Sequence, residues 1–219
     1  MVFVKAPRKG TVKTRLARDV GDETATRLYR GFVLDVLDLI RNDGAREVVI
    51  CHAPPDASGE IREWLGPMNI YRPQSGGDLG QRMCAAFRKA FADGVDRALL
   101  MGTDLPDLPP EVVDSADAAL RSADAVLGPS RDGGYYLIGF NRNGFEPAVF
   151  REIPWSTDAV FRLTERILTR RGRRFRVLPV WRDVDDVADL RNLMDRLRIH
   201  GRAVHTRRCL KEHPLKRKD

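Results

Sequence analysis

The sequence predicts an α/β protein in which a mostly parallel sheet carries helices on both faces. Two observations lead there. Short apolar runs alternate with amphipathic stretches in units of roughly 25 residues, the pattern of strand–helix–strand crossovers between parallel strands. One run, YYLIGF at 135–140, follows its predecessor across a turn alone, which adds one antiparallel element.

In chain order, VFVKA at 2–6 reads as a strand. Residues 24–41 put Leu28, Phe32, Leu34, Val36, Leu37 and Ile40 mostly on one helical face, with Asp22 or Thr24 as cap. REVVICHA at 46–53 is a second strand, followed by a helix over 57–65 and an extended piece at 69–73. Residues 79–94 are helical and stop at Gly94, and RALLMG at 97–102 is the next strand. Prolines at 109 and 110 open a helix running to 122. Strands at 124–129 and 135–140, a helix at 157–171, a strand at 175–180 and a helix at 188–199 complete the pattern. With no internal repeat, low-complexity segment or Pro/Ser linker, residues 1–200 read as a single domain, and 201–219 as a basic tail.

The bulk properties narrow the class. The formal net charge is +7, but residues 197–219 carry eight Lys or Arg against Glu212 and Asp219, so the preceding chain is almost neutral. That distribution fits a solvated terminus better than a nucleic-acid-binding surface. The cluster RRGRRFR at 170–176 straddles a helix end, where cations suit the helix dipole. Three scattered cysteines (Cys51, Cys84, Cys209) have neither metal-ligand spacing nor an even count, as expected for thiols in a reducing compartment. No run approaches eighteen apolar residues and the opening VFVKAP resembles no leader, so neither membrane span nor signal peptide is expected, and the cytoplasm is the expected location.

Four stretches carry chemistry. KAPRKGTVKTRL (5–16) follows the first strand and sets Lys5, Arg8, Lys9, Lys13 and Arg15 around Gly10. Glycine admits an anion close to the backbone, and Lys and Arg contact phosphate oxygens; a solvated turn is the bland alternative. In GTDLPDL (102–108), Asp107 is placed to cap the following helix, whereas Asp104 is too early for that and suits a divalent cation. Ligands of such sheets sit beyond the carboxyl ends of the strands, where Asp104 is expected. GPSRDGGYYLIGF (128–140) holds Asp132, Gly133, Gly134 and Tyr135, either a plain hairpin turn or a backbone surface for a hydroxyl-rich ligand. In WRDVDDVADL (181–190), Asp186 can cap the next helix, while Asp183 and Asp185 alternate along an extended segment. Only one of that pair is then expected to face the site, giving a two-acid clamp with Asp104. None of the four histidines pairs with a candidate nucleophile, which leaves a hydrolase unsupported.

Taken together, KAP-x-x-G-x-x-KTRL, GTD-x-PDL, LGP-x-x-DGGYYLIG, IPWST (153–157) and RDVD resemble the bacterial GT-A-like glycosyltransferases, or nucleotide-diphospho-sugar transferases, associated with radical-SAM/selenodomain proteins. That family is similar in turn to the phospholactate guanylyltransferases. The resemblance spans residue 2 to about 195 and implies a Rossmann-like nucleotide-diphospho-sugar transferase fold, a nucleotide or nucleotide-sugar donor and Mg²⁺ or Mn²⁺. It implies that Lys13 and Arg15 hold nucleotide phosphates, that Asp104 is a metal ligand, and that Asp185 is the second metal acid; Asp104 and Asp185 are thus the expected catalytic pair. The sequence has D-x-x-D at 104–107 rather than D-x-D, and Asp-Val at 186–187 where relatives tend to have Thr-Pro. The DGGYY turn with Trp155, Ser156 and Thr157 is expected to shape the sugar or acceptor pocket. The expected activity is glycosyl transfer to a small-molecule acceptor. The alternatives are nucleotidylyl transfer, which five cations in twelve residues favour, and a non-catalytic nucleotide- or nucleic-acid-binding module.

Overall fold

The computed structural model describes residues 1–41 and 46–214; Lys216, Arg217, Lys218 and Asp219 of the expected tail lie outside them. The strands are β1 (Val2–Lys5), β2 (Val49–Ala53), β3 (Ile70–Pro73), β4 (Arg97–Met101), β5 (Ala125–Pro129), β6 (Tyr135–Asn141) and β7 (Phe175–Val177). They form one sheet in the order β3-β2-β1-β4-β6-β5-β7. β1 pairs in parallel with β2 and β4, β2 with β3, and β5 with β7. β6 is antiparallel to both β4 and β5, as the missing helix before YYLIGF predicted.

The helices are α1 (Thr14–Val20), α2 (Asp22–Ile40), α3 (Ser58–Leu65), α4 (Leu79–Ala92), α5 (Pro110–Ala119), α6 (Val160–Arg170), α7 (Val187–Ile199) and α8 (Val204–Glu212). Strand alternation divides the core between the two faces. Val2, Val4, Ile50 and Met101 pack with Val33, Val36 and Leu37 of α2, Ile61 of α3 and Val112, Val113 and Ala116 of α5. Leu100, Leu127, Ile138 and Phe140 pack on the other face with Met83, Phe87 and Ala90 of α4 and Leu168 of α6. Phe87 meets Phe140 edge-on at 5.1 Å between ring centroids, an arrangement worth about 0.5–1.5 kcal/mol beyond burial.

Several local expectations are corrected. Asp22 is the first residue of α2 rather than its cap; Gly21 occupies that position without a side-chain bond. Asp107 does not cap α5, whose N-cap is Pro109. α1 and α8 were not anticipated: one is seven residues long, and the other is dominated by cations. Residues 204–212 therefore do not belong to a frayed tail. Asp35, buried in α2, accepts bonds from the amides of His205 (2.8 Å) and Thr206 (2.9 Å) and from the Thr206 hydroxyl (2.6 Å), anchoring the start of α8. Cys209 and Leu210 of α8 then pack against a third core cluster of Leu28, Phe32, Leu190 and Leu193. Among the described residues no helix is long and apolar enough to cross a membrane.

Candidate functional site

At the carboxyl edge of the sheet lies a cavity of about 530 Å³. Its lining brings together ten of the twelve residues expected at the site: Lys5, Lys13, Arg15, Asp104, Asp132, Gly134, Tyr135, Trp155, Ser156 and Asp185. Gly10 and Gly133 stand outside it; Gly133 packs on the backbone of Asp158 instead. A second sizeable cavity, at the amino edge, includes the Arg46–Asp114 and Arg97–Asp117 ion pairs in its lining.

The centre of the site is Lys13. Its side chain is only 5% exposed, and its Nζ lies 2.7 Å from Asp104 Oδ1 and 3.2 Å from Asp185 Oδ1, while donating to the Val184 carbonyl at 2.6 Å. Burial alone would lower its pKa, but the charges of Asp104 and Asp185 and their hydrogen bonds carry it above the ordinary lysine value. Lys13 reaches this position from the left-handed conformation, φ +49°, immediately before α1. That conformation costs a residue with a side chain about 1–2 kcal/mol. The second oxygen of Asp185 is paired with Arg15.

Segment 181–186 is strapped across the exit of β4. The Val184 amide donates to the Asp104 carbonyl at 2.9 Å, and the Trp181 amide to Pro129 O at 3.0 Å. Beneath them Asp107, fully buried, accepts Arg196 Nε at 2.6 Å and Nη2 at 3.1 Å from α7, and Trp181 Nε1 at 3.2 Å. The acid read as a helix cap is therefore an anchor for the strap and α7. Asp186 does cap α7, in a reciprocal box with Asp189.

Asp183 corrects the alternation argument. Residues 182–185 have no strand partner, so the two-residue pleat does not apply, and Asp183 and Asp185 line the same cavity. Asp183 Oδ1 is buried without a hydrogen-bond partner. Burial, and then the charges of Asp104, Asp132 and Asp185, push its pKa up to about 8 against the opposing effect of Lys13. An unpartnered acid oxygen among other acids is a fitting place for a hard cation. Among the described residues, no three His, Cys, Asp or Glu side chains form a ready-made metal cage. Mg²⁺, however, is commonly held by one or two carboxylates with substrate phosphates completing the shell.

The far wall is aromatic. Tyr135 meets Trp155 edge-on at 6.4 Å, and its hydroxyl lies 3.8 Å from Met83 Sδ. Gly80 lets Trp155 approach α4: a Cβ there would stand 2.6 Å from Trp155 Cζ2. Ser156, next to it, has φ +67°, a second strained position at the cavity. Asp132 is held inside its own turn by Ser130 Oγ and the Gly134 amide. Sequence reasoning missed Arg82, Met83 and Leu79, which α4 presents to the cavity; the polar loop SGGD before an Arg in the first turns was the available signal.

A family model described as an uncharacterized protein conserved in bacteria (DUF2064) matches residues 36–157. A crystal structure from Desulfovibrio desulfuricans G20, described as a "putative nucleotide-diphospho-sugar transferase", is 41% identical. It superposes with a TM-score of 0.89 over 96% of this chain and 93% of that one. The chain belongs to the DUF2064 family. More distant likenesses place this DUF2064 chain in the nucleotidyltransferase-like fold. The inositol-1-phosphate CTP transferase from T. maritima is 14% identical, with a TM-score of 0.56 covering 99% of this chain and 97% of that one. Rv0371C of Mycobacterium tuberculosis H37Rv, solved in complex with manganese, is 18% identical, with a TM-score of 0.53 covering 89% and 96%. No curated protein matches the chain.

Proposed function

We propose that this DUF2064 protein is a metal-dependent transferase that moves a glycosyl group from a nucleotide-diphospho-sugar to a small-molecule acceptor. The observation that carries the reading is the convergence of Lys13, Asp104, Asp183 and Asp185 in one cavity beyond the strand ends. The 41%-identical structure, by its description, supports the donor class.

Asp104 and Asp185, with the free oxygen of Asp183, would hold the cation. When bound, Mg²⁺ or Mn²⁺ neutralises charge on the diphosphate leaving group. Lys13 keeps Asp104 and Asp185 at a fixed separation and is poised to share the same charge. The wall formed by Tyr135, Trp155, Met83 and Leu79 gives the sugar or acceptor an apolar surface and excludes water. In the transfer, the acceptor hydroxyl oxygen bonds to the anomeric carbon and the bond to the diphosphate oxygen breaks. The hydroxyl proton leaves to solvent or a carboxylate, and a nucleoside diphosphate is released.

Nucleotidylyl transfer rested on five cations suiting three phosphates, and that support weakens in the folded chain. Arg8 is paired with Glu60, Lys9 with Glu23, and Lys13 and Arg15 with the site's own acids. Incubation with pooled nucleotide sugars or pooled triphosphates and Mn²⁺ decides between them. Release of nucleoside diphosphate is expected; pyrophosphate formed only from triphosphate and a phosphorylated acceptor would overturn the glycosyl reading.

A further inference from the structure

A cavity of about 470 Å³ opens beside the first one, over the ends of β1, β2 and β3. Three residues line both: Lys5, Gln74 and Arg82. They stand where the two cavities adjoin, the neck between them.

The charge at this neck is uncompensated. Lys5 is exposed at the end of β1, and among the described residues no side chain pairs with its ammonium. Arg82 is half-buried on α4 and has no carboxylate partner among the described residues. Its Nε and Nη2 both donate to the Gly77 carbonyl, at 3.0 and 2.8 Å, which fixes the guanidinium and leaves Nη1 unused. The supporting loop is built for this. Gly76 has φ +114°, a conformation a side chain disfavours, and the reciprocal Asp78–Gln81 box fixes the start of α4. Gln74 donates its amide to Cys51 O at 2.9 Å, so it adds no charge.

On one side the lining is uncharged or paired, and on the other lie the acids of the candidate cation site, Asp104, Asp183 and Asp185. The smaller cavity offers Ala6, Ala53, Pro54 and Pro55, with its Arg8 paired to Glu60; the larger ends at Tyr135 and Trp155. A neutral chamber on one side, an acid-lined chamber with an aromatic far wall on the other, and two cations between them match a ligand whose negative charge lies in its middle, where the cations and not the acids meet it. A nucleotide-diphospho-sugar has that shape; a triphosphate carries its charge at one end.

We propose that Lys5 and Arg82 form a diphosphate seat between the two cavities, so that the donor lies across it with its nucleoside end in the smaller cavity and its sugar end toward the aromatic wall of the larger. The inference rests on the glycosyl-donor reading for the identity of the ligand, but the seat itself answers to any diphosphate. Lys5 and Arg82 thereby take the anchoring role that the basic-loop motif suggested for Lys13 and Arg15, which the site's acids hold.

The test is calorimetric titration of the full chain in EDTA with inorganic pyrophosphate, and with ADP, GDP, UDP and CDP against their nucleosides. Lys5→Gln breaks no ion pair or side-chain hydrogen bond among the described residues, and Arg82→Lys keeps the charge while losing the two-nitrogen grip on Gly77. Each variant should bind pyrophosphate and diphosphates about tenfold more weakly, with nucleoside affinity unchanged, as expected for a lost charge-assisted bond. No pyrophosphate binding by the parent, or unchanged binding in both variants, overturns the seat. Parent enzyme that releases nucleoside diphosphate while both variants bind normally sinks the seat and leaves the function standing. Weakened binding in the variants of a parent that releases pyrophosphate from triphosphate, and no nucleoside diphosphate from nucleotide sugars, sustains the seat and sinks the function.

Discussion

Replacing Arg196 with Met leaves the Asp107 carboxylate buried at 0% exposure with only Trp181 Nε1 as a strong partner. Arg196 supplies two of the bonds that hold this charge, at 2.6 and 3.1 Å, and His200 stands 3.8 Å away. Burial, and then the charge of Arg202, lower the His200 pKa, so it is a poor substitute cation at neutral pH. Breaking one side of such a buried pair costs about 3–5 kcal/mol. For a chain of this length each kcal/mol corresponds to about 2–4 °C, so Tm should fall by roughly 6–20 °C. Urea denaturation followed by tryptophan fluorescence measures the cost directly, with Trp181 reporting on the strap itself. The double variant Asp107→Leu/Arg196→Met removes both charges and should recover most of the loss, because no buried ion is left alone. A single Arg196→Met variant within about 1 kcal/mol of the parent, where exposed pairs lie, would show that the strap is not anchored through this pair.

Two further outcomes follow from buried carboxylates. Asp183 has a folded pKa of about 8 against an ordinary value of 3.8, so the folded chain holds an extra proton between those values. That stabilisation is complete below about pH 4 and lost as pH rises through 8, so Asp183→Asn should match the parent near pH 4 and exceed its stability increasingly toward pH 8, by an amount on the order of a few kcal/mol. Melting curves in EDTA at several pH values check this, and a pH-independent difference would contradict the assignment. Ending the chain at Arg202 removes all three bonds to Asp35 and should destabilise it by at least about 3 kcal/mol; a truncated chain of parental stability would show that α8 is only loosely docked.

Apart from α1 and α8, the order of strands and helices was legible because short apolar runs alternate with amphipathic stretches, and the single antiparallel strand because a turn is too short for a crossover. What failed was local inference about residues whose partners are distant in sequence. Asp107 stands just before a helix and looks like a cap, yet its partner Arg196 lies 89 residues away. Asp183 and Asp185 were divided by a pleat rule that applies only where a strand exists. Asp35 is buried along α2, a position that marks an acid in need of a partner, but nothing nearby pointed to Thr206. The motif residues come together around one cavity because they fall at strand ends. They could not show which cations the site's own acids neutralise, and so Arg82 was missed.

The central claim is that the acids beyond β4 hold a divalent cation that binds a nucleotide through its phosphates. Its most direct test is the affinity for nucleoside diphosphates with and without Mn²⁺, in the parent and in Asp104→Asn. The account predicts that Mn²⁺ strengthens binding by the parent and that most of this increment is absent from the folded variant. An undiminished Mn²⁺ dependence in folded Asp104→Asn would contradict it.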